Sequence, residues 1–458
     1  MQRLLVNVLK VKRKRQYEDK EGFQHSQVEC LVKVKGMARR SLRLPKGVKG
    51  KRTKILRECL LPWEVKPGDY LVLDPEETKR VIAEQIPPTL SQRVEQPKVE
   101  EPLLYSQDIN GDGFRENILE NSFFKAVIAP HYGARLWELW TKGVNQLYGA
   151  GSYDKDGWVE LGGVEDSVSG MGKPDELWNA NYIRGRSQRQ PLFNYHLSLQ
   201  KKEGLKVNKR FSIEPDAPIL YQVSQFTYQG KGKKPRESTS ISYCAKVFFA
   251  MGGETNFHNL FLIPTREKLI KLRYHKPAWR RGWEGIFWDW RQMHHAIDPG
   301  FILLTNEVKK NSLAVLFHPK RMSFAWTGVN SRSPRVFLSH SLQKLKKGAQ
   351  TSYGLLYIPA DAFDFNQRSL LLLSLGKSSP AGHPLAITFR SRRRYKDCAV
   401  NLSIDGSERK VILEPKYFPE VGLVFSSSLY LSPGFSSVHV SLKRERESLG
   451  CQLKGGGQ

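Results

Sequence analysis

Leu119-Glu-Asn-Ser-Phe-Phe-Lys-Ala-Val-Ile-Ala-Pro-His-Tyr-Gly-Ala-Arg-Leu-Trp-Glu-Leu-Trp140 is the stretch that decides the fold class. Its segment Phe124–Ile128 is a short apolar run that stops at Pro130 and Gly133, the mark of a strand running into a turn. The same rhythm continues from about residue 117 to residue 360. Leu220–Tyr228, Ser242–Phe249, Phe301–Leu304 and Leu313–Phe317 are short strand-like runs separated by Gly, Asn, Asp and Pro. Long heptad-like stretches do not occur, so a large antiparallel sandwich is expected over 117–360.

Downstream, Leu370–Leu375, Leu385–Phe389, Ala399–Ile404, Lys410–Leu413 and Val438–Leu442 repeat the pattern at smaller scale. Their spacing predicts a small immunoglobulin-like sandwich over 366–445, followed by a tail, 446–458, without order. Ser369–Leu375 is the longest apolar run and reads as a buried strand. A membrane helix needs about 18 apolar residues or more, so no span is expected. Upstream, Leu4–Val11, Val28–Val34 and Tyr70–Leu73 read as strands and residues 76–85 as one short helix, giving a small β-rich module over 1–85. Residues 86–103 contain four prolines and few large apolar groups, which reads as an extended linker. The predicted fold class is mostly β throughout.

The formal net charge is +28. Residues 1–60 hold 18 Lys and Arg against five acids, a net +13 in about an eighth of the chain. That asymmetry suggests a polyanion, nucleic acid or acidic glycan, as partner of residues 1–60. Tyr17 and Phe23 are almost the only aromatic residues before Trp63, which argues against base stacking on single strands. The five cysteines are scattered and form no CxxC, so neither a disulfide framework nor a zinc site is expected. At the N-terminus the basic cluster follows the apolar run, the reverse of a signal peptide, and a cytoplasmic protein is expected. Walker, Rossmann, GxSxG, HExxH and kinase patterns are missing, and no organic cofactor is expected.

Asp108-Ile-Asn-Gly-Asp-Gly-Phe-Arg-Glu116, at the end of a 104–116 segment, sets oxygen ligands at Asp108, Asn110, Asp112 and Glu116. The carbonyl of Phe114 completes the set, and Gly113 permits the sharp turn. Hard oxygens on a tight loop suit Ca²⁺, expected here in a structural role. The loop resembles the nine-residue DxDxDGxxD calcium loops, from which Asn110 and Glu116 depart. An EF-hand would need its twelfth ligand at Leu119.

The segments "LEN…F…V…P..G.R…L" of 119–136 and "GG.E" of 162–165 resemble the opening of galactose mutarotase-like, or aldose epimerase-like, β-supersandwich domains. The resemblance covers about 117–360, and it departs at Ala134, where the family commonly has a second glycine. It implies a saccharide site in a groove of the supersandwich. Mutarotation requires a general acid and a general base about one sugar ring. The candidate carboxylates are Glu165 and Asp166, with Glu307 behind them; the candidate acids are His258 and His131, with His294 and His295 behind them. Glu165 and Asp166 are adjacent and would project to opposite faces of a strand, unless Gly162-Gly163 holds them in a loop. Arg135 is placed to bind a hydroxyl or carboxylate. Trp279, Trp283, Trp288 and Trp290, interleaved with Arg280, Arg281, Glu284, Asp289 and Arg291, form a candidate stacking platform.

Two classes of function stay open at this level. One is a carbohydrate-binding protein, with or without isomerase, hydrolase or lyase activity. The other is a non-enzymatic polyanion- or nucleic-acid-binding scaffold driven by the basic module, whose binding would fall steeply with salt.

Overall fold

The computed structural model describes most of residues 103–149, 204–274 and 300–454, with the backbone of strands elsewhere and a few further residues. The described chain is mostly β and its strands pair antiparallel, apart from one short parallel pair, Cys59–Leu60 beside Val81–Ile86. No helix among the described residues is long and apolar enough to cross a membrane.

Two large sheets form the body. The first runs through Met293–His295, Met322–Thr327, Arg335–His340, Ser238–Phe248, Val164–Ser169, Arg135–Thr141, Lys125–Ala129, Glu116–Glu120 and Leu103–Gln107; two short strands beside this path bring it to eleven. The second has nine strands, with Leu205–Ile213, Leu220–Tyr228 and Gln350–Ala360 as neighbours near its middle. Leu205–Ile213 alternates buried and half-buried at every position, the period of a pleated strand with one face on a core. The facing surfaces meet through Leu136, Val164, Phe211, Phe226, Val247 and Leu355, all buried. Each such side chain contributes about 1.5–3 kcal/mol by leaving water.

Polar residues interrupt that apolar layer at one place. Asp166, Lys209, Gln222 and Ser224 occupy positions in step with the apolar residues of their own strands. Asp166 accepts from the Tyr243 hydroxyl at 2.7 Å and from Gln222 Nε2 at 3.2 Å, and pairs with Lys209. Tyr357 donates to Gln222 Oε1 at 3.0 Å, which extends the network across the second sheet. Burial pushes the Lys209 ammonium pKa down, and Asp166 opposes that shift.

The C-terminal sheet has eight strands from Ala362–Phe365 to Glu447–Lys454. It folds back on itself: Gly450 N–H donates to Asp364 Oδ2 at 2.8 Å, and the Cys451 thiol to the Leu371 carbonyl at 3.6 Å. Leu371, Leu373, Ile387, Val400 and Val440 fill the space between the layers. One expectation is corrected here. The stretch 446–458, expected without order, forms the strand Glu447–Lys454, because Leu449, Cys451 and Leu453 are buried on one side of it. The unit is also not self-contained. Leu370 and Leu372 share a second core with Leu260, Leu303, Leu316 and Leu356 on the outer face of the nine-stranded sheet.

Residues 4–86 contribute a six-stranded sheet ordered Thr53–Leu56, Gln24–Gly36, Leu4–Glu18, Tyr70–Leu73, Val81–Ile86, Cys59–Leu60. The short helix expected over 76–85 is replaced, in its described part, by the strand Val81–Ile86. Ladder bonding to Tyr70–Leu73, with Tyr70 opposite Ile86, overrides the good helical propensity of Ala83, Glu84 and Gln85, as tertiary pairing routinely does. Of the expected linker 86–103, Ile86 closes the strand Val81–Ile86 and Leu103 opens Leu103–Gln107, while residues 87–102 lie outside the described residues.

Candidate functional site

Strand Lys125–Ala129 ends in the 3-10 turn Pro130–Tyr132, and the chain reverses through Gly133 at φ 83° and Ala134 at φ 48°. Both residues lie in the left-handed region, which explains why glycine suits the second position and why Ala134 needs support there. Lys209 supplies it, donating to the carbonyls of Gly133 at 2.6 Å and Ala134 at 3.2 Å.

The turn delivers Arg135 into a fixed set of acceptors. Nε donates to the Tyr132 carbonyl at 2.6 Å, and Nη1 to the Gly162 carbonyl at 2.9 Å and to Glu165 Oε1 at 2.7 Å. Gly163 permits the approach. Its φ is 68°, and a Cβ there would lie 2.4 Å from the Leu136 carbonyl oxygen. Glu165 then faces Lys246 across the neighbouring strand, with Nζ 3.4 Å from Oε2. Register extends the same face to Phe248, Arg335, Phe337 and Trp326. Lys246 lies 5.2 Å from the ring centroids of both Phe248 and Phe337, and Arg335 lies 5.7 Å from both. Arg135, Glu165, Lys246 and Arg335 are each at most 3% exposed, so the low dielectric around them strengthens their interactions.

The other expected residues are distributed differently. Glu165 and Asp166 lie on a strand, and Asp166 points into the layer between the sheets, away from Glu165. His131 is buried in the 3-10 turn, with Nε2 3.2 Å from Glu116 Oε1 and its ring 4.5 Å from that of Phe114. Candidates assigned to two separate sites, catalytic His131 and metal-ligating Glu116, are therefore brought together. Glu116 Oε2 also accepts from Ile109 N–H at 3.1 Å, and Asp108 Oδ2 accepts from Gly113 N–H at 2.9 Å. Burial pushes the Glu116 carboxyl up to about 8. Asn110 and Asp112 lie outside the described residues.

His258 belongs to the turn before Asn259–Pro264, where its N–H bonds Asn256 and its carbonyl accepts from Glu307 N–H at 3.0 Å. None of these contacts reaches Arg135 or Glu165. Glu307 is on the surface with Lys271 at 3.0 Å and Arg273 at 2.6 Å; hydrogen bonds to the two hold its carboxyl below the usual value. His294 and His295 lie on a strand beside Met322–Thr327, with His295 opposite Phe324. Trp279, Trp283, Trp288, Trp290 and Arg291 lie outside the described residues.

No family model matches the chain, and no curated protein matches it. Over about half its length it is similar to galactose mutarotase-like structures. One is a galactose mutarotase related enzyme from Lactobacillus acidophilus: 11% identity, TM-score 0.39, covering 53% of this chain and 97% of that one. Another is a galactose mutarotase-like protein from Clostridium acetobutylicum: 8% identity, TM-score 0.38, covering 57% and 99%. A TPR-domain containing protein from Parabacteroides distasonis matches with 14% identity and TM-score 0.39 over 54% of this chain, which spans 47% of that protein.

Lys246, Arg335, Phe248 and Phe337 were not singled out by the sequence. The signal available was the alternation of cation and phenylalanine in Lys246-Val-Phe248 and Arg335-Val-Phe337, which register sets side by side. The Arg135 strand carries one more buried acid. Glu138 accepts from Trp140 Nε1 at 2.7 Å through Oε2, while Oε1 is buried without a hydrogen-bond partner among the described residues. Burial pushes its carboxyl from 4.5 up to about 7, against the Trp140 hydrogen bond and Lys125. The folded chain thus keeps a proton that the unfolded chain loses above about 4.5, so stability falls as pH rises between those values. Glu138→Gln is expected to remove a loss of about 3 kcal/mol at pH 8. Denaturant midpoints from pH 5 to pH 8 check this; parallel profiles for variant and wild type would refute it.

Proposed function

We propose that the chain recognises a saccharide on the face of the eleven-stranded sheet that carries Arg135 and Glu165. One observation carries the reading: the 2.7 Å bond between Arg135 and Glu165. It joins the "P..G.R" and "GG.E" segments, the two parts of the sequence that resemble aldose epimerase-like domains. Sugar hydroxyls both donate and accept, and a guanidinium fixed beside a carboxylate offers the complementary pair. Trp326, half-buried beside the buried Phe248 and Phe337, supplies apolar surface for a C–H face, and the Trp279–Trp290 segment is assigned to the rim. Catalysis would add a proton donor across the sugar from Glu165. The His131 ring is engaged by Glu116, and the backbone of His258 is tied to Asn256 and Glu307 in a turn whose contacts do not reach Glu165, so binding is the function this geometry supports best.

A glycan array and titration calorimetry with the full chain test the reading. Glu165→Gln and Trp288→Ala are each expected to weaken binding of the retained sugar by about tenfold or more. Retention of no saccharide, or wild-type affinity in both variants, would show the face is misassigned.

We also propose that the loop 108–116 takes a structural Ca²⁺ through Asp108, Asn110, Asp112, the Phe114 carbonyl and Glu116. Its support is the donor chemistry: Asp108 and Glu116 close on the same short loop, each oriented by a backbone N–H. Chelator is expected to lower the melting temperature, and Asp112→Ala to abolish that difference. Identical melting of the wild type with calcium and with chelator would eliminate the metal.

A further inference from the structure

Positive charge gathers where the C-terminal sheet meets the nine-stranded sheet, on the side opposite the proposed saccharide face. Strand Ser312–Leu316 leads through Phe317 and His318 into the 3-10 turn Pro319–Arg321, so His318, Lys320 and Arg321 leave the sheet together. Continuing the register of Leu316 with Leu356 puts His318 beside Gly354. Gly354 lies against the C-terminal sheet; a Cβ on it would sit 2.5 Å from Glu420 Cβ.

From the C-terminal side comes Arg390, 6% exposed. Its Nη1 donates to the Leu423 carbonyl at 2.5 Å and Nη2 to the Val421 carbonyl at 3.0 Å, which fixes the guanidinium over Gly422. Arg321 donates to the Ser352 carbonyl. The carboxylate placed here by the described contacts is Glu420, and it is already engaged by the Tyr221 hydroxyl and, at 2.9 Å, by Ser352 Oγ.

Two features remain without an explanation in folding. Arg390 Nε and His318 Nδ1 are both buried, and neither has a hydrogen-bond partner among the described residues. Leaving such a group unsatisfied costs about 1–3 kcal/mol, and more when it is charged. Burial, and then Arg321, Arg390 and Lys320, push the His318 pKa down, so several cations act on this one imidazole.

We propose that this seam is a binding site for an oxyanion, a carboxylate, sulfate or phosphate, held by Lys320, Arg321 and Arg390 with His318. Guanidinium groups match the geometry of oxyanions, and Arg390 is pre-set by its two carbonyl bonds, so little side-chain freedom is lost on binding. The site joins side chains from both sheets, and a bound anion therefore favours their docking.

Inorganic phosphate, sulfate and acetate, each compared with chloride at equal ionic strength, test this on the full chain by melting temperature and calorimetry. At least one is expected to raise the melting temperature and to bind about tenfold more weakly to the double variant Lys320→Gln, Arg321→Gln. The exposed control Lys344→Gln is expected to bind as wild type does. The order among the three anions separates a carboxylate site from a tetrahedral one. No difference from chloride for all three, or wild-type affinity in the double variant, overturns the proposal.

Discussion

Lys209→Met is expected to cost about 3–5 kcal/mol, among the largest losses available to a single substitution in this fold. The lysine is 1% exposed and pairs with Asp166, which is as deeply buried. Removing the ammonium leaves a carboxylate in an apolar layer, with Tyr243, Gln222 and Ser224 as its remaining described partners. It also releases the carbonyls of Gly133 and Ala134, the supports of the turn that carries Arg135. The loss should therefore appear twice, in the denaturant midpoint and in saccharide affinity. The double variant Asp166→Leu, Lys209→Met separates the effects: it is expected to regain much of the stability, because no charge is left stranded, but not the affinity. A Lys209→Met midpoint within about 1 kcal/mol of wild type would show the pair is not the anchor described.

The second large effect concerns the C-terminal sheet. A chain ending after Asp361 is expected to be recovered as aggregate. Leu260, Leu303, Leu316, Leu356 and Ile358 form a buried row whose partners include Leu370, Leu372, Phe418, Val421 and Val424. Truncation exposes that row as a continuous apolar patch, and soluble monomers rarely show one larger than a few hundred Å². It also strips Tyr221 and Ser352 of Glu420, and Glu214 of Lys416. Soluble yield and gel filtration decide the matter; a soluble monomer melting with the full chain would sink it.

How much of this was written in the sequence depends on which side of a strand one asks about. Strand existence was legible where apolar residues recur at alternate positions, as in Leu205–Ile213 apart from Lys209. Lys209 was legible in principle, since it falls in step with Leu205, Val207, Phe211 and Ile213. Asp166 stands likewise between Val164 and Val168, and the pair Gln222 and Ser224 between Leu220 and Phe226. A polar residue in an apolar stripe marks a buried network, but the stripe does not name its partner. Arg135 and Glu165 were singled out through their motifs. Lys246 and Arg335 were not, because a charge in a strand reads as solvent-facing, and here it is covered on that face too. The core that the C-terminal strands share with the nine-stranded sheet was not legible for a related reason. A run of leucines declares that both sides are buried without declaring against what.

That run, Ser369–Leu375, acts as a party wall. Leu371 and Leu373 belong to one room, Leu370 and Leu372 to the other. Between Gln350–Ala360 and Ala362–Phe365 only Asp361 intervenes, held by Lys142 at 2.6 Å and by the Leu375 N–H at 2.7 Å. Domain closure needs residues that swing without disturbing packing. Here the joining residues are the packed ones, and the wall has no hinge. The two rooms are therefore expected to move as one body, and a ligand at the proposed seam to meet a shape set when the chain folded rather than one that shuts around it.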